Sequence, residues 1–264
     1  SLDCNAATFA IFWLEKSIKR VTNITTDDYN EKESYPLILF LHGAGERGTD
    51  NETQMKNVFQ KISNKNRGAI LVAPQCDPEN QWVDTPWAEG PYSTDEVPES
   101  NELQAVMALI ENIQENYSVD KTRIYATGLS MGAFGVWDLM IRHNDVFAAG
   151  VAVAPPTNWR YYDTVYTERF MRTPQENPDG YDESPISRAA QLYGKLLICH
   201  GTADDNVHVQ NTYEYAEALV QANKDFRQVI YTNRNHSIYG SNTRRHLLRQ
   251  ITQHFEDNLK NARQ

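Results

Sequence analysis

Cysteine is scarce in this sequence, and the three that occur, Cys4, Cys76 and Cys199, form no CxxC pair. An odd number without paired spacing predicts neither a disulfide framework nor a cysteine zinc site. We therefore expect buried free thiols and no structural metal.

Long apolar runs are absent as well. The two longest cover Phe9 to Leu14 and Val146 to Pro156, whereas a membrane-spanning helix needs roughly 20 apolar residues. The first residues also lack the basic and apolar regions of a signal peptide. We expect a soluble protein with no membrane partner, either cytoplasmic or, if a signal peptide has been removed, periplasmic or secreted.

Basic residues are outnumbered: 25 Lys and Arg against 35 Asp and Glu give a net charge of −10. The resulting field repels phosphate backbones, so nucleic acid is excluded as an expected partner. The composition, with 40% hydrophobic and 23% charged residues, is that of a globular protein and argues against disorder.

The length of 264 residues favours one large domain over residues 1–264. Residues 1–34 have no clear assignment, because the segment 6–21 fits an amphipathic helix about as well as a strand. The oligomeric state has no signal in the sequence.

Buried apolar runs alternate with helical periodicity along the rest of the chain. The runs assigned to strands are 37–41, 69–73, 123–127, 149–154, 196–199 and 228–231; the periodic segments assigned to helices are 102–117, 131–142, 209–222 and 243–259. Such alternation predicts an α/β fold with a mostly parallel central sheet and helices on both faces.

Two long irregular regions interrupt this pattern. Gln75 to Ser100 is rich in proline and carries Trp82 and Trp87, and Pro155 to Ala190 is rich in tyrosine and proline. Long aromatic loops inside a compact domain are usually functional. We expect them to form the walls of a cleft.

The segment GLSMG at residues 128–132 follows an apolar strand and precedes a helical pattern. This is the setting of a nucleophile elbow, in which the serine sits on a strained turn with its hydroxyl exposed. Glycines two positions away on either side allow the backbone to crowd there. Ser130 is therefore the predicted nucleophile.

A nucleophilic serine needs a histidine base, which in this type of fold follows the serine and the acid in chain order. His246 and His254 lie on the last helical pattern, and His200 ends a strand, where a satisfied buried imidazole is the usual explanation. His236 lies in the loop between the last strand and the last helix. His236 is therefore the predicted base.

The acid should follow the preceding strand, where Asp204 and Asp205 are both available. Spacing leaves this choice open: one carboxylate orients the imidazole, and the other caps the next helix. The oxyanion hole needs two backbone N–H donors. We assign these to Met131, after the nucleophile, and to Ala44, in the HGAG segment at residues 42–45.

These residues resemble two known groups. Residues 35–149 are similar to propeller-free esterases and predicted peptidases related to the prolyl oligopeptidases. The similarity lies in the segments LHGAGERG (41–48), APQC (73–76) and RIYATGLSMG (123–132). Residues 150–260 resemble the catalytic domain of bacterial dipeptidyl peptidase IV. The resemblance lies in the segments VAP (153–155), CHGTADDNVH (199–208) and NHS (235–237), together with residues 157–171 and 184–185. Both groups imply the α/β-hydrolase fold.

The resemblance implies roles that spacing alone does not. It selects Asp204 as the acid beside the base His236. It also implies that Tyr162 and Tyr166 line the pocket next to the scissile bond and that Asn206 makes a polar contact there. Trp159 is a further candidate, which either contacts an aromatic substrate or packs the rim of the cleft.

The sequence departs from these groups at several points, and the segment 6–21 does not resemble the paired entry strands of either group. The β-propeller of dipeptidyl peptidase IV has no room in 264 residues, its oxyanion tyrosine is replaced by the HGAG segment, and Ala133 stands where the esterase group has glycine. The switch of resemblance suggests a recombinant of two lineages joined near residues 146–155, or a divergent natural relative. One natural gene product identical throughout would exclude the recombinant.

The sequence predicts a serine hydrolase that works by acyl transfer without a metal or organic cofactor. A carboxylesterase for small acyl or aryl esters is favoured, because the acidic residues that hold a peptide's free amino terminus are missing. The alternative is a peptidase that cleaves after proline or a small residue, with a short peptide as substrate. A binding module that has kept the fold without catalysis is a second alternative.

Overall fold

The computed structural model describes residues 29–56, 68–83 and 98–261. The ambiguous segment 6–21 and Trp87 lie outside these ranges. The strands are β1 (Tyr35–Leu41), β2 (Ile70–Val72), β3 (Val119–Leu129), β4 (Ala149–Val153), β5 (Lys195–Gly201) and β6 (Phe226–Tyr231). The helices are α1 (Asn101–Asn116), α2 (Met131–Arg142), α3 (Thr164–Met171), α4 (Pro178–Asp182), α5 (Gln210–Gln221) and α6 (Ser241–Asn261).

These strands form one sheet in the order β2-β1-β3-β4-β5-β6, and every neighbouring pair is parallel. The chain moves outward from β1 to β2 and then returns to place β3 on the other side of β1. This reversal opens a crevice at the carboxyl ends of β1 and β3, where ligands bind in sheets of this kind. The fold therefore brings the segments after β1 and after β3 together.

Helices cover both faces of the sheet, as predicted. In β1, Leu37, Leu39 and Leu41 join a buried cluster with side chains of α1, α2 and α5. Ile38 and Phe40 point the other way and join a cluster with α6. This follows from the alternation of side chains along a strand, each face of which is buried in a covered parallel sheet.

Helix α6 is amphipathic and packs one apolar side on the sheet. In the described part of the chain, no helix is both long enough and apolar enough to cross a membrane.

The region 155–190, expected to be irregular, contains the short helices α3 and α4. Asp163 caps α3 by accepting a hydrogen bond from the Tyr166 N–H at 2.7 Å, and Asn177 caps α4 through the Gly180 N–H at 3.2 Å. Helices of one or two turns show little periodicity in a sequence, which explains why the pattern indicated a loop.

Candidate active site

Ser130 occupies the turn between β3 and α2 in a strained conformation, with φ 57° and ψ −121°. Positive φ is uncommon for a residue other than glycine and costs on the order of 1–3 kcal/mol. The turn is held from β4, because the Ser130 N–H donates to the Val153 carbonyl at 2.9 Å. The predicted elbow is thus present at the switch point of the sheet.

The glycines around Ser130 are needed for close backbone packing. An added Cβ on Gly132 would lie 2.1 Å from the Leu41 carbonyl oxygen, and one on Gly128 would lie 2.3 Å from backbone atoms of Gly132. Neither contact can relax by turning a side chain. The elbow therefore rests directly on the end of β1.

Gly132→Ala is expected to lower the free energy of unfolding by about 3 kcal/mol, because the new methyl group overlaps backbone atoms. Urea unfolding measures this. Gly68→Ala is the matched control, since an added Cβ there meets nothing within 4 Å. Equal stability of the two variants would contradict the described contact between the elbow and β1.

The predicted acid and base are in direct contact. The His236 Nδ1 lies 2.8 Å from the Asp204 Oδ2. The other oxygen, Oδ1, accepts from the N–H groups of Asn206 at 3.0 Å and Val207 at 2.9 Å. Asp204 therefore both contacts the imidazole and closes the turn after β5. The spacing predicts one aspartate for each of these tasks, but Asp205 is exposed.

A second imidazole meets the same carboxylate. The fully buried His200 has its Nε2 3.1 Å from the Asp204 Oδ2 and 2.8 Å from the Val207 carbonyl, with its Nδ1 2.7 Å from the Thr212 hydroxyl. Because ionised carboxylate and carbonyl oxygens only accept, His200 carries a proton on Nε2. Within the described ranges, no group of three or more histidine, cysteine or carboxylate side chains is arranged to hold a metal ion.

These contacts keep the acid ionised. Burial opposes ionisation of Asp204, but the hydrogen bonds from His200 and His236 outweigh it and hold the pKa of the carboxyl well below its usual value. The position of His200 at the end of a strand predicts only a satisfied buried imidazole. It gives no signal of the contact with Asp204.

The base loop is fixed to the acid loop by the backbone. The Ala203 N–H donates to the Arg234 carbonyl at 3.0 Å, and an added Cβ on Gly201 would lie 2.1 Å from that same oxygen. Ser130 lies at the same edge of the sheet, but no hydrogen bond joins its hydroxyl to His236 in the described part of the chain. The structure pairs the predicted acid with the predicted base; in structures without substrate, the hydrogen bond between such a base and a serine is often long and tightens when substrate binds.

Two N-terminal amides flank Ser130. Met131 begins α2 and Ala44 begins a 3₁₀ turn at residues 44–46, so neither amide has an acceptor within its own helix. An added Cβ on Gly43 would lie 3.7 Å from the Ser130 Cβ, which places this turn beside the serine. The two residues predicted for the oxyanion hole are thus the starts of two helical turns near the elbow.

His42 links this turn to the segment after β2. Its Nε2 accepts from the Cys76 N–H at 2.9 Å, and its carbonyl accepts from the Trp82 Nε1 at 2.9 Å. Trp82, expected on a cleft wall, is buried and packs its ring against His42. Burial lowers the pKa of His42 to about 4, so the imidazole stays neutral at neutral pH.

A neutral buried histidine predicts a pH dependence of stability. The pKa of His42 falls from its ordinary 6.5 to about 4 on folding, so its contribution is complete above pH 6.5 and is lost as the pH falls towards 4. The free energy of unfolding of wild type relative to His42→Gln should drop by about 3 kcal/mol between pH 7 and pH 4. Chemical unfolding at both pH values measures this, and parallel curves would contradict it.

An aromatic row runs from the elbow to two half-buried tyrosines in the region 155–190. Phe134, whose N–H donates to the Ser130 carbonyl at 3.1 Å, contacts Trp159 edge to face at 5.6 Å between ring centroids. Trp159 then contacts Tyr162 at 6.0 Å, and Tyr162 contacts Tyr166 at 5.3 Å. Trp159 itself is buried, so its ring packs between Phe134 and Tyr162.

The hydroxyls of the two tyrosines have polar partners. Tyr166 donates to the Gln81 Oε1 at 3.2 Å, and Tyr162 donates to the Asn206 Oδ1 at 3.4 Å. Burial raises the pKa of Tyr162 above its usual value and that of Tyr166 to about 12. Both therefore remain neutral phenols, and Tyr162 connects the aromatic row to the loop that carries the acid.

Asn211 anchors the loop before this row and was not singled out in the sequence. Its Oδ1 accepts from the N–H groups of Thr157 at 2.9 Å and Asn158 at 2.8 Å, while its Nδ2 donates to the His208 carbonyl at 2.9 Å. A polar residue in the first turn of a helix resembles an ordinary cap, so the pattern carries no signal of these distant partners.

Comparison with known proteins agrees with this geometry. The model of the prolyl oligopeptidase family matches residues 93–262. The chain is 33% identical over 231 residues to a probable dipeptidyl-aminopeptidase B of Botryotinia fuckeliana (strain B05.10), an alignment that covers 82% of this chain and 24% of that protein.

Solved structures give the same relationships. The crystal structure of Porphyromonas gingivalis dipeptidyl peptidase 4 matches with a TM-score of 0.69 and 34% identity, over 88% of this chain and 32% of that one. The structure of a thermostable esterase matches with a TM-score of 0.60 and 25% identity, over 89% of this chain and 56% of that one. The chain thus spans about a third or less of the peptidases and little more than half of the esterase.

Both groups named in the sequence resemblance are represented among these matches. The family model covers more than half of the chain, and the parallel sheet with its elbow has the architecture of an α/β-hydrolase. The chain therefore belongs to the prolyl oligopeptidase family, the S9 family of serine peptidases, within the α/β-hydrolase superfamily.

Proposed function

We propose that this chain is a serine peptidase domain in which Ser130 is the nucleophile, His236 the general base and Asp204 the acid that orients it. The contact of 2.8 Å between His236 and Asp204 carries the proposal. It joins the loops after β5 and β6, at the edge of the sheet where the elbow places Ser130. Membership of a peptidase family supports the same assignment.

The proposed reaction is acyl transfer. With substrate bound, the Nε2 of His236 removes the Ser130 proton, and the serine oxygen forms a bond to the substrate carbonyl carbon. The oxyanion accepts from the N–H groups of Ala44 and Met131. The imidazolium then protonates the leaving amine as the scissile bond breaks, and water activated by the same imidazole releases the acyl group.

The proposed pocket is the surface formed by Tyr162 and Tyr166, with Asn206 at its polar edge and Trp159 beneath it. Phenol rings in edge-to-face contact give a rigid apolar wall, which suits proline or another small side chain. The hydroxyls and the amide of Asn206 offer hydrogen bonds to a peptide backbone. The relatives named as dipeptidyl peptidases favour a short peptide as the substrate.

A carboxylesterase is the second candidate. The thermostable esterase covers 89% of the chain, and the triad chemistry is common to esters and peptides. The S9 family and its dipeptidyl peptidase relatives nevertheless favour the peptidase over the carboxylesterase that the sequence alone favoured.

The two candidates are separated by comparing Gly-Pro-p-nitroanilide with p-nitrophenyl acetate. A peptidase should hydrolyse both, because an enzyme able to cleave an amide also cleaves an activated ester. Each activity should disappear in Ser130→Ala. Turnover of the acetate with none of the anilide would support the esterase and overturn the peptidase.

A further inference from the structure

The peptide bond between Gly43 and Ala44 is held firmly on its carbonyl side. This peptide carries the Ala44 N–H that is assigned to the oxyanion hole. Its carbonyl, that of Gly43, accepts from the Glu46 N–H at 3.0 Å and lies 2.7 Å from the His42 Nδ1. The N–H of Gly43 is held separately by the Glu46 carboxylate at 3.3 Å.

The neighbouring backbone fixes which nitrogen of His42 carries the proton. The Cys76 N–H can only donate, and it points at Nε2 over 2.9 Å, so Nε2 must offer its lone pair. A neutral imidazole then carries its proton on Nδ1 and donates it to the Gly43 carbonyl. His42 is completely buried, so water does not compete for either bond.

We infer that His42 is a positioning residue for the oxyanion hole, which aims the Ala44 N–H by holding the carbonyl of the same peptide. This rests on the proposed function. The N–H and C=O of a trans peptide lie in one plane and point in opposite directions, so fixing the oxygen fixes the direction of the N–H. Hydrogen bonds to the oxygen also polarise the peptide and strengthen its N–H as a donor.

The competing explanation is that His42 only braces the segment after β2 through Cys76. Two amide variants separate these roles. His42→Asn places an amide near the Nδ1 position, where it can donate to the Gly43 carbonyl, but is too short to reach Cys76. His42→Gln extends to the Nε2 position and can accept from Cys76 but has no donor beside Gly43.

The experiment measures kcat and KM with p-nitrophenyl acetate, and the inhibition constant of a trifluoromethyl ketone that forms a tetrahedral adduct. In His42→Gln, kcat should fall by about 10- to 100-fold, part of the loss seen when a donor is removed altogether. The inhibitor should weaken by a similar factor while KM stays within about twofold. His42→Asn should keep most of kcat. Near-normal kcat in His42→Gln, with a loss in His42→Asn, would overturn the inference.

A measurement on wild type keeps the inference testable if both variants unfold. A long-range ¹H–¹⁵N correlation spectrum reports the tautomer of a histidine, and His42 should carry its proton on Nδ1. A proton on Nε2 would overturn the inference. Failure of the proposed function is distinct from this result, because wild type would then lack Ser130-dependent turnover of either substrate.

Discussion

Replacing Ser130 by alanine is expected to lower kcat for both the anilide and the ester by about a million-fold, to the residual rate that binding and the oxyanion hole provide. Without the hydroxyl, no acyl-enzyme forms, whatever the state of His236. Prolonged assays measure the residual kcat, and active-site titration measures any wild-type enzyme that contaminates the variant. The positive φ of Ser130 is about as unfavourable for alanine as for serine, so the unfolding temperature should change little.

Ser34→Ala is the matched control for this prediction. Ser34 is exposed and precedes β1, at the edge of the sheet away from the elbow. Its substitution should leave kcat and KM unchanged. Retention of even a hundredth of the wild-type rate by a pure, folded Ser130→Ala protein would remove Ser130 from the role of nucleophile.

Replacing Asp204 by asparagine should lower kcat by about 10⁴-fold, because the amide stabilises the wrong tautomer of the base. In wild type the ionised carboxylate accepts the His236 Nδ1–H at 2.8 Å. It also accepts the Nε2–H of His200, which an amide oxygen can satisfy only in part. Steady-state kinetics on both substrates measure the change.

Asp205→Asn provides the comparison, since Asp205 is adjacent in the chain but exposed. We expect less than a twofold change in kcat. A large loss in Asp205→Asn together with normal activity in Asp204→Asn would show that the other aspartate is the acid.

The sheet was predictable because its strands are buried on both faces. A strand such as β4 is a short, continuous apolar run, which is easily recognised in a sequence. The predicted helix 131–142 coincides with α2 (Met131–Arg142). Strand β3 begins before its predicted range because Val119 pairs with Tyr35, after which the register shifts and Leu37 pairs with Ile124. The intervening residues 120–123 are polar, so they give no apolar signal.

The triad candidates were predictable because each role has a fixed place in the chain order. The supporting contacts were not, since they depend on folding. His200 reaches Asp204 through the turn after β5, Asn211 contacts Thr157, which lies 54 positions earlier, and the tautomer of His42 is set by Cys76, 34 positions away. A sequence shows which residue types are present, but only the fold shows which acceptor faces which donor.

The choice between ester and peptide shows a different limit. The preference for a carboxylesterase in the sequence analysis rests on the extent of the chain, which does not decide the question because the chain spans about a third or less of the peptidases that it matches. The tyrosines beside Asn206 are as compatible with a peptidase as with a carboxylesterase. Substrate specificity depends on pockets that several loops shape together, so it cannot be read from single residues. The family membership favours the peptidase, and the comparison of the two substrates tests that choice.

The proposed acyl transfer requires that Ser130 be activated in the folded protein. The most direct measurement is labelling with a fluorophosphonate, followed by mass spectrometry of the peptides. We predict one adduct per chain, on Ser130, formed by wild type and absent from Ser130→Ala. A folded wild-type protein that remains unlabelled, or that carries the adduct on another residue, would contradict the assignment of Ser130 as the nucleophile.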